Sequence, residues 1–100
     1  MKKKLAPEQL EAVARIFAVL SEASRLALLH TLRGGPRTVS ELVEASGMRQ
    51  ANVSKHLGLL HHHGLVRRQR EGSYVRYEVA DPVVFAMCEL VRGRVRHLGW

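Results

Sequence analysis

The side chains best suited to reading a base-pair edge are gathered at positions 49–55: Arg49, Gln50, Asn52, Ser54 and Lys55, with the small Ala51 among them. Gln and Asn can each bond adenine through two hydrogen bonds at once, while Lys and Arg favour guanine or phosphate oxygens. A second group, Arg67, Arg68, Arg70 and Arg76, offers guanidinium forks matched to phosphate, with Ser73 in the same segment. Nucleophilic or acid–base catalysis finds no support. There is no Gly-rich phosphate loop and no nucleophile motif, and the acids near Ser54 or Cys88 fall at no triad spacing. The chain therefore reads as a non-enzyme that needs no cofactor.

Six histidines and one thiol remain. Ligands on a helix share a face at i and i+4 or i+3, whereas consecutive residues such as His61, His62 and His63 spread about 100° apart. No i, i+4 histidine pair exists, so the triplet reads as a polar helix end favourable to the dipole rather than a metal site. His30, set among Leu28, Leu29 and Leu32, is expected to be a partly buried structural histidine. His56 borders an apolar stripe and is expected to pack or bond locally. A single cysteine, Cys88, excludes an intrachain disulfide and a Cys-based zinc site and fits a reducing compartment. Arg92, one turn further on, can stabilise a thiolate, which makes Cys88 a possible redox sensor; the alternative is an inert packing residue.

The charge balance points the same way as the first two groups. Sixteen Lys and Arg oppose nine Asp and Glu, for a net charge of +7 and a pI near 10.5. The excess is regional: residues 49–76 hold six basic side chains against Glu71, a net +5, whereas residues 6–38 are nearly balanced. Such a surface favours polyanions, meaning nucleic acid or acidic membrane. A length of 100 residues with 46% hydrophobic and 25% charged side chains describes one globular domain. No apolar run of about 18 residues is present, so no membrane span is expected. The basic start Met1-Lys2-Lys3-Lys4 resembles the opening of a signal peptide. Pro7, Glu8, Gln9 and Glu11 then interrupt what should be its apolar stretch, so the chain reads as cytoplasmic.

Helical periodicity must position these groups. Pro7 suits a first turn, and Leu10, Val13, Ala14, Phe17, Ala18 and Leu20 recur at helical spacing to position 20. Leu26, Leu29 and Leu32 mark a second helix, ended by Gly34-Gly35-Pro36. Thr38, with Glu41 three residues on, forms a capping box for a short third helix that stops at Ser46-Gly47. A fourth helix runs from about 49 to 63 and ends at Gly64, a residue suited to a left-handed cap. The period then becomes two. Residues 65–70 and 74–79 read as a hairpin around Glu71-Gly72-Ser73, with Val75, Tyr77 and Val79 on one face and Tyr74, Arg76 and Glu78 on the other. Asp81-Pro82 opens a last helix over 82–97 carrying Val83, Val84, Met87, Leu90, Val91 and Val95. The fold class is mainly α with a small β-hairpin.

Two short helices meeting at Ala45-Ser46-Gly47-Met48 make a helix-turn-helix over 38–63, the arrangement that places its second helix in a DNA major groove. On that helix Val53, Leu57 and Leu60 form a core stripe, and Ala51, Ser54, Lys55 and Gly58 a small polar stripe nearly opposite. Taken alone, the polar stripe is equally an ordinary solvated face, and the basic hairpin a charged edge guarded against strand pairing. Placed directly after a helix-turn-helix, the hairpin over 65–79 reads as a wing that grips phosphate or the minor groove. A protein-binding module without DNA readout is the competing function. It would present large apolar anchors, and only Leu59 lies near the stripe.

Over residues 8 to 97 the chain resembles the ArsR/SmtB family of bacterial winged helix-turn-helix repressors. The residues that carry the likeness are the run 20–29 (Leu20-Ser21-Glu22-Ala23-Ser24-Arg25-Leu26-Ala27-Leu28-Leu29), Val39-Ser40-Glu41-Leu42, Val53-Ser54-Lys55-His56-Leu57, Gly64-Leu65-Val66, Arg70-Glu71-Gly72, Tyr77 and Asp81-Pro82. The resemblance implies a homodimer packed through helices 7–20 and 82–97 that represses a promoter on double-stranded operator DNA until an inducer, not evident from the sequence, binds. It assigns base contacts to Gln50, Ala51, Asn52, Ser54 and Lys55, and backbone contacts to the hairpin arginines. The chain departs from the family pattern in three places. Arg49 stands where relatives often cap with Ser, Gly58 where they often carry Arg or Lys, and Ser73 where a wing-tip arginine is frequent. The family's metal sites are also missing from the sequence: the third helix has no thiol, Val83 stands two residues after Asp81 where a histidine would complete the Asp-x-His opening, and the last helix has only His97 near its end.

Overall fold

The computed structural model describes residues 3–99; Met1 and Lys2 of the basic start lie outside the described residues. In chain order the elements are α1 (Pro7–Leu20), α2 (Ala23–Leu32), β1 (Arg37–Thr38), α3 (Val39–Ser46), α4 (Gln50–His62), β2 (Val66–Glu71), β3 (Tyr74–Val79) and α5 (Val83–His97). Each helix start has a local cause. Pro7 occupies the first turn of α1, and the Ala6 N–H donates to Gln9 Oε1 at 2.7 Å. Glu22 accepts from the Ser24 N–H to open α2, and Asp81 Oδ1 accepts from the Val83 N–H at 2.9 Å to open α5.

The sheet has three antiparallel strands in the order β1-β3-β2, one more than the hairpin expected from the sequence. The extra strand is Arg37–Thr38, which pairs with Tyr77 and Arg76 of β3. In the hairpin Val66 faces Val79, Arg68 faces Tyr77 and Arg70 faces Val75 on one side; Arg67 faces Glu78, Gln69 faces Arg76 and Glu71 faces Tyr74 on the other. Gly72, at φ 61°, leads the two-residue turn while Ser73 keeps a negative φ, the pattern of a type II′ hairpin. The base of the first side packs on the helices through Val66, Tyr77 and Val79, and this is what an isolated two-stranded hairpin lacks in water.

One core joins the helices: Leu28, Leu29 and Leu32 of α2, Leu42 of α3, Val53, Leu57 and Leu60 of α4, Val66, and Val84 and Phe85 of α5 are all buried. Leu28 lies outside the expected α2 stripe; apolar side chains line α2 on more than one side, which makes its phase hard to read. The stripes of the first and last helices, expected to face a second copy, stay largely open in the single chain. Only Val19 of α1 is buried, whereas Leu10, Val13 and Phe17 are exposed, and on α5 Val83, Leu90 and Val91 stand in solvent as well. Between these helices runs an apolar groove of about 390 Å³ lined by Phe17, Leu20, Leu26, Met87, Cys88 and Val91 among others. Among the described residues no helix is long and apolar enough to cross a membrane.

Candidate nucleic-acid interface

The interface is built on the joint between α3 and α4. Thr38 Oγ1 accepts from the Glu41 N–H at 3.2 Å, and Glu41 Oε1 accepts from the Thr38 N–H at 2.8 Å, so the capping box closes in both directions. The Thr38 backbone N–H, and after it the Thr38 side chain, pull the Glu41 carboxyl below its ordinary value. Loss of water contact opposes this, and the charges of Arg76 and Arg37 add to the lowering. The helix ends at Gly47, φ 72°, whose N–H donates to the Val43 carbonyl at 2.9 Å. Ser46 Oγ accepts from the Met48 N–H at 3.1 Å on the far side of the corner. Three residues thus turn the chain, and glycine takes the required left-handed φ without strain.

Arg49 is the N-cap of α4 in extended backbone (φ −68°, ψ 147°); its carbonyl accepts from the N–H groups of Asn52 and Val53, both at 3.0 Å. Its side chain makes no capping hydrogen bond, so the guanidinium is left for solvent or an anion. Along α4 the two faces separate cleanly. Gln50, Ala51, Asn52, Ser54, Lys55 and Gly58 are exposed, as is Arg49, while Val53, Leu57 and Leu60 are fully buried. Each of those three side chains contributes roughly 1.5–3 kcal/mol as an upper estimate, and together they fix which face α4 turns outward.

The four hairpin arginines do not form one ribbon. Arg67 Nε bonds Glu78 at 3.2 Å and its Nη1 donates to the Ala80 carbonyl at 2.9 Å. Arg76 reaches Glu71 at 3.1 Å and Glu41 of α3 at 3.5 Å, tying the wing to the capped end of α3. Both lie on the outer sheet face. Arg68 and Arg70 lie on the opposite face, beyond the part covered by helices; both are exposed and, among the described residues, neither has a carboxylate partner. Ser73 is exposed at the tip. Sequence reasoning missed this division because only the register decides which arginine meets an acid.

His30 is exposed, not partly buried: its Nδ1–H donates to the Leu26 carbonyl at 2.9 Å and its ring edge meets Phe85, with centroids 5.3 Å apart. His56 is buried and bonds across the fold, with Nδ1 3.2 Å from Arg25 Nη1 of α2, rather than locally. His62 and His63 stack edge to face at the end of α4. Cys88 is half-buried in the apolar groove, and the neighbouring Arg92 donates to Glu89 at 2.6 Å. Among the described residues no three His, Cys, Asp or Glu side chains converge as metal ligands.

A short capped helix, a glycine corner, a second helix with one anchored and one open face, and a basic hairpin define a winged helix-turn-helix of the DNA-binding type. Comparison with known proteins narrows the class. Residues 20–69 match a family described as a helix-turn-helix domain. The chain is 40% identical over 82 residues to a probable mercury resistance operon repressor of Streptomyces lividans, covering 82% of this chain and 66% of that protein. It is 37% identical over 86 residues to the HTH-type transcriptional regulator NmtR of Mycobacterium tuberculosis, covering 86% of this chain and 72% of that protein. The homodimeric winged helix-turn-helix DNA-binding domain Mb0332 of Mycobacterium bovis, a possible ArsR-family regulator, superposes with a TM-score of 0.79 at 31% identity over 96% of this chain and 91% of that one. The chain belongs to the ArsR/SmtB family of winged helix-turn-helix transcriptional regulators.

Proposed function

We propose that the chain is a homodimeric repressor that binds double-stranded operator DNA with α4 in the major groove. The observation that carries this reading is the open face of α4, where Gln50, Ala51, Asn52, Ser54 and Lys55 stand outward on a helix anchored by Val53, Leu57 and Leu60. Small residues let the helix approach base edges, Gln50 and Asn52 offer paired hydrogen bonds, and Lys55 and Arg49 offer positive charge. Helix-turn-helix over 38–63 and wing over 65–79 act as one DNA-binding unit. Within the wing, Arg68, Arg70 and the tip Ser73 take the phosphate contacts, and Arg67 and Arg76 brace its base. The exposed apolar side chains of α1 and α5 support self-association: Phe17 is 57% and Leu90 77% exposed in the single chain. Two copies set the reading helices about one DNA turn, roughly 34 Å, apart on an inverted repeat. Action on operator DNA supports a cytoplasmic protein. The M. bovis homodimer and the repressor named for S. lividans support the assembly and the sign of regulation.

A duplex selected by the wild-type chain from a random-sequence pool supplies the probe. In fluorescence anisotropy, Gln50→Ala with Lys55→Ala is expected to abolish preference for the selected duplex over a scrambled one while sedimentation still shows a dimer. Undiminished preference overturns the recognition-face assignment.

A further inference from the structure

Arg25 spans three helices. It sits in the first turn of α2, its Nε–H donates to the carbonyl of Val19 in the last turn of α1, and its Nη1 lies 3.2 Å from Nδ1 of His56 on α4. The Val19 carbonyl is among the last four of α1, which have no acceptor role inside the helix. His56 is 8% exposed, so it stands on the inner side of the same helix that presents the base-reading groups. A guanidinium has donors only, so His56 Nδ1 must accept and the ring proton must reside on Nε2. The side chain therefore has one tautomer and one orientation in this seat. Among the described residues no buried side-chain nitrogen or oxygen lacks a partner, and the contact of Arg25 with His56 is part of that account. An imidazole among Val53, Leu57 and Leu60 adds nothing that another apolar side chain would not supply to packing. What it adds is direction: a hydrogen bond at a fixed angle from α4 to the group that also holds the end of α1.

We infer that Arg25 is a positioning residue which, through His56, fixes the reading helix relative to α1 and thereby sets the separation of the two reading helices in the dimer. The inference rests on the operator-binding reading, in which α1 lies at the dimer interface and α4 in the groove. An arm of one guanidinium between them transmits a shift of either helix to the other. Its function is geometric, so removing it relaxes the choice of half-site spacing, an effect that a loss of stability alone does not produce.

The test compares duplexes carrying the selected inverted repeat with the half-site spacing unchanged or lengthened by one base pair, using the wild-type chain, Arg25→Lys, His56→Leu and His56→Asn. The asparagine retains an acceptor near the position of Nδ1. The wild-type ratio of affinities for the two spacings is expected to fall by about tenfold or more in Arg25→Lys and His56→Leu, the order of one hydrogen bond to a charged group, and to recover largely in His56→Asn. Thermal unfolding identifies any variant that does not fold, and the wild-type chain alone supplies an independent reading. Nitrogen-15 spectra of its imidazoles must show His56 with Nδ1 bare and Nε2 protonated. An unchanged spacing ratio in folded variants, or a protonated Nδ1 in the neutral ring of the wild type, overturns the inference. A wild-type chain that selects no duplex at all overturns the operator reading instead, and leaves the tautomer measurement standing as a separate result.

Discussion

The division of the wing arginines gives a quantitative prediction. Arg68 and Arg70 have no carboxylate partner among the described residues, so both are available to phosphate, and a dimer presents four such groups. Each phosphate neutralised by the protein contributes about 0.9 to the slope of log affinity against log salt, so replacing both residues by Ala should lower that slope by about 3.6. Between 50 and 200 mM salt, this removes about 150-fold of the wild-type loss in affinity. Arg67→Ala should behave differently. Its ion pair with Glu78 is largely exposed, at 61% and 35% for the two side chains, and the pair stabilises by about 0.2–1 kcal/mol. Its additional bond to the Ala80 carbonyl brings the total to roughly 1 kcal/mol. Arg67→Ala is thus expected to lower stability slightly and leave the salt slope nearly unchanged. The assay is fluorescence anisotropy with the selected duplex at five or more salt concentrations, paired with chemical denaturation. A slope change of about 1.8 for Arg67→Ala, half that of the double variant, would refute the idea that ion pairing sorts these residues.

Three further outcomes follow from other parts of the fold. Gly58 is in the interior of α4, and a Cβ at that position would meet nothing within 4 Å, so Gly58→Ala should raise stability by roughly 0.5–1 kcal/mol in denaturant titration; a loss of stability would mean that the site is not open. Glu41 has its carboxyl held below the ordinary value of 4.5, so the stability it lends is present above that value and is lost as pH falls through its lowered folded-state value. Glu41→Gln keeps an acceptor for the Thr38 N–H but not the charge facing Arg76, and its unfolding midpoint should fall less than that of wild type as pH drops below about 4.5. Leu90→Glu places charge on the most exposed large apolar side chain of α5 and should convert the dimer to folded monomer in sedimentation, with helical circular dichroism retained. Persistence of the dimer would move the interface away from this helix.

What could be read in the sequence was what the chain decides locally. The Thr38–Glu41 capping box spans four residues and Gly64 suits a left-handed cap, so both were visible before any fold was known. The two faces of α4 were legible because Val53, Leu57 and Leu60 repeat with the helix while small polar residues occupy the other side. Strand β1 was not, since two residues carry no periodicity and their partner in β3 lies about forty positions on. The bond from Arg25 to His56 joins residues 31 apart and depends on how α2 crosses α4, which no local pattern encodes. The exposure of the α1 stripe was legible only through the family resemblance, which packs helices 7–20 and 82–97 against a second copy. An apolar stripe looks the same in sequence whether it meets its own core or another surface, and the packed chain shows that Leu10, Val13 and Phe17 remain open.

On the proposed reading, two copies of this chain place α4 in successive major-groove segments of one duplex. Dimethyl sulfate footprinting on the selected duplex at saturation tests it directly, because the reagent attacks guanine N7 in the major groove. Two patches of guanine N7 protection whose centres lie about 10–10.5 base pairs apart are predicted. Uniform N7 reactivity in a saturated complex, or one patch without its mate, contradicts the account.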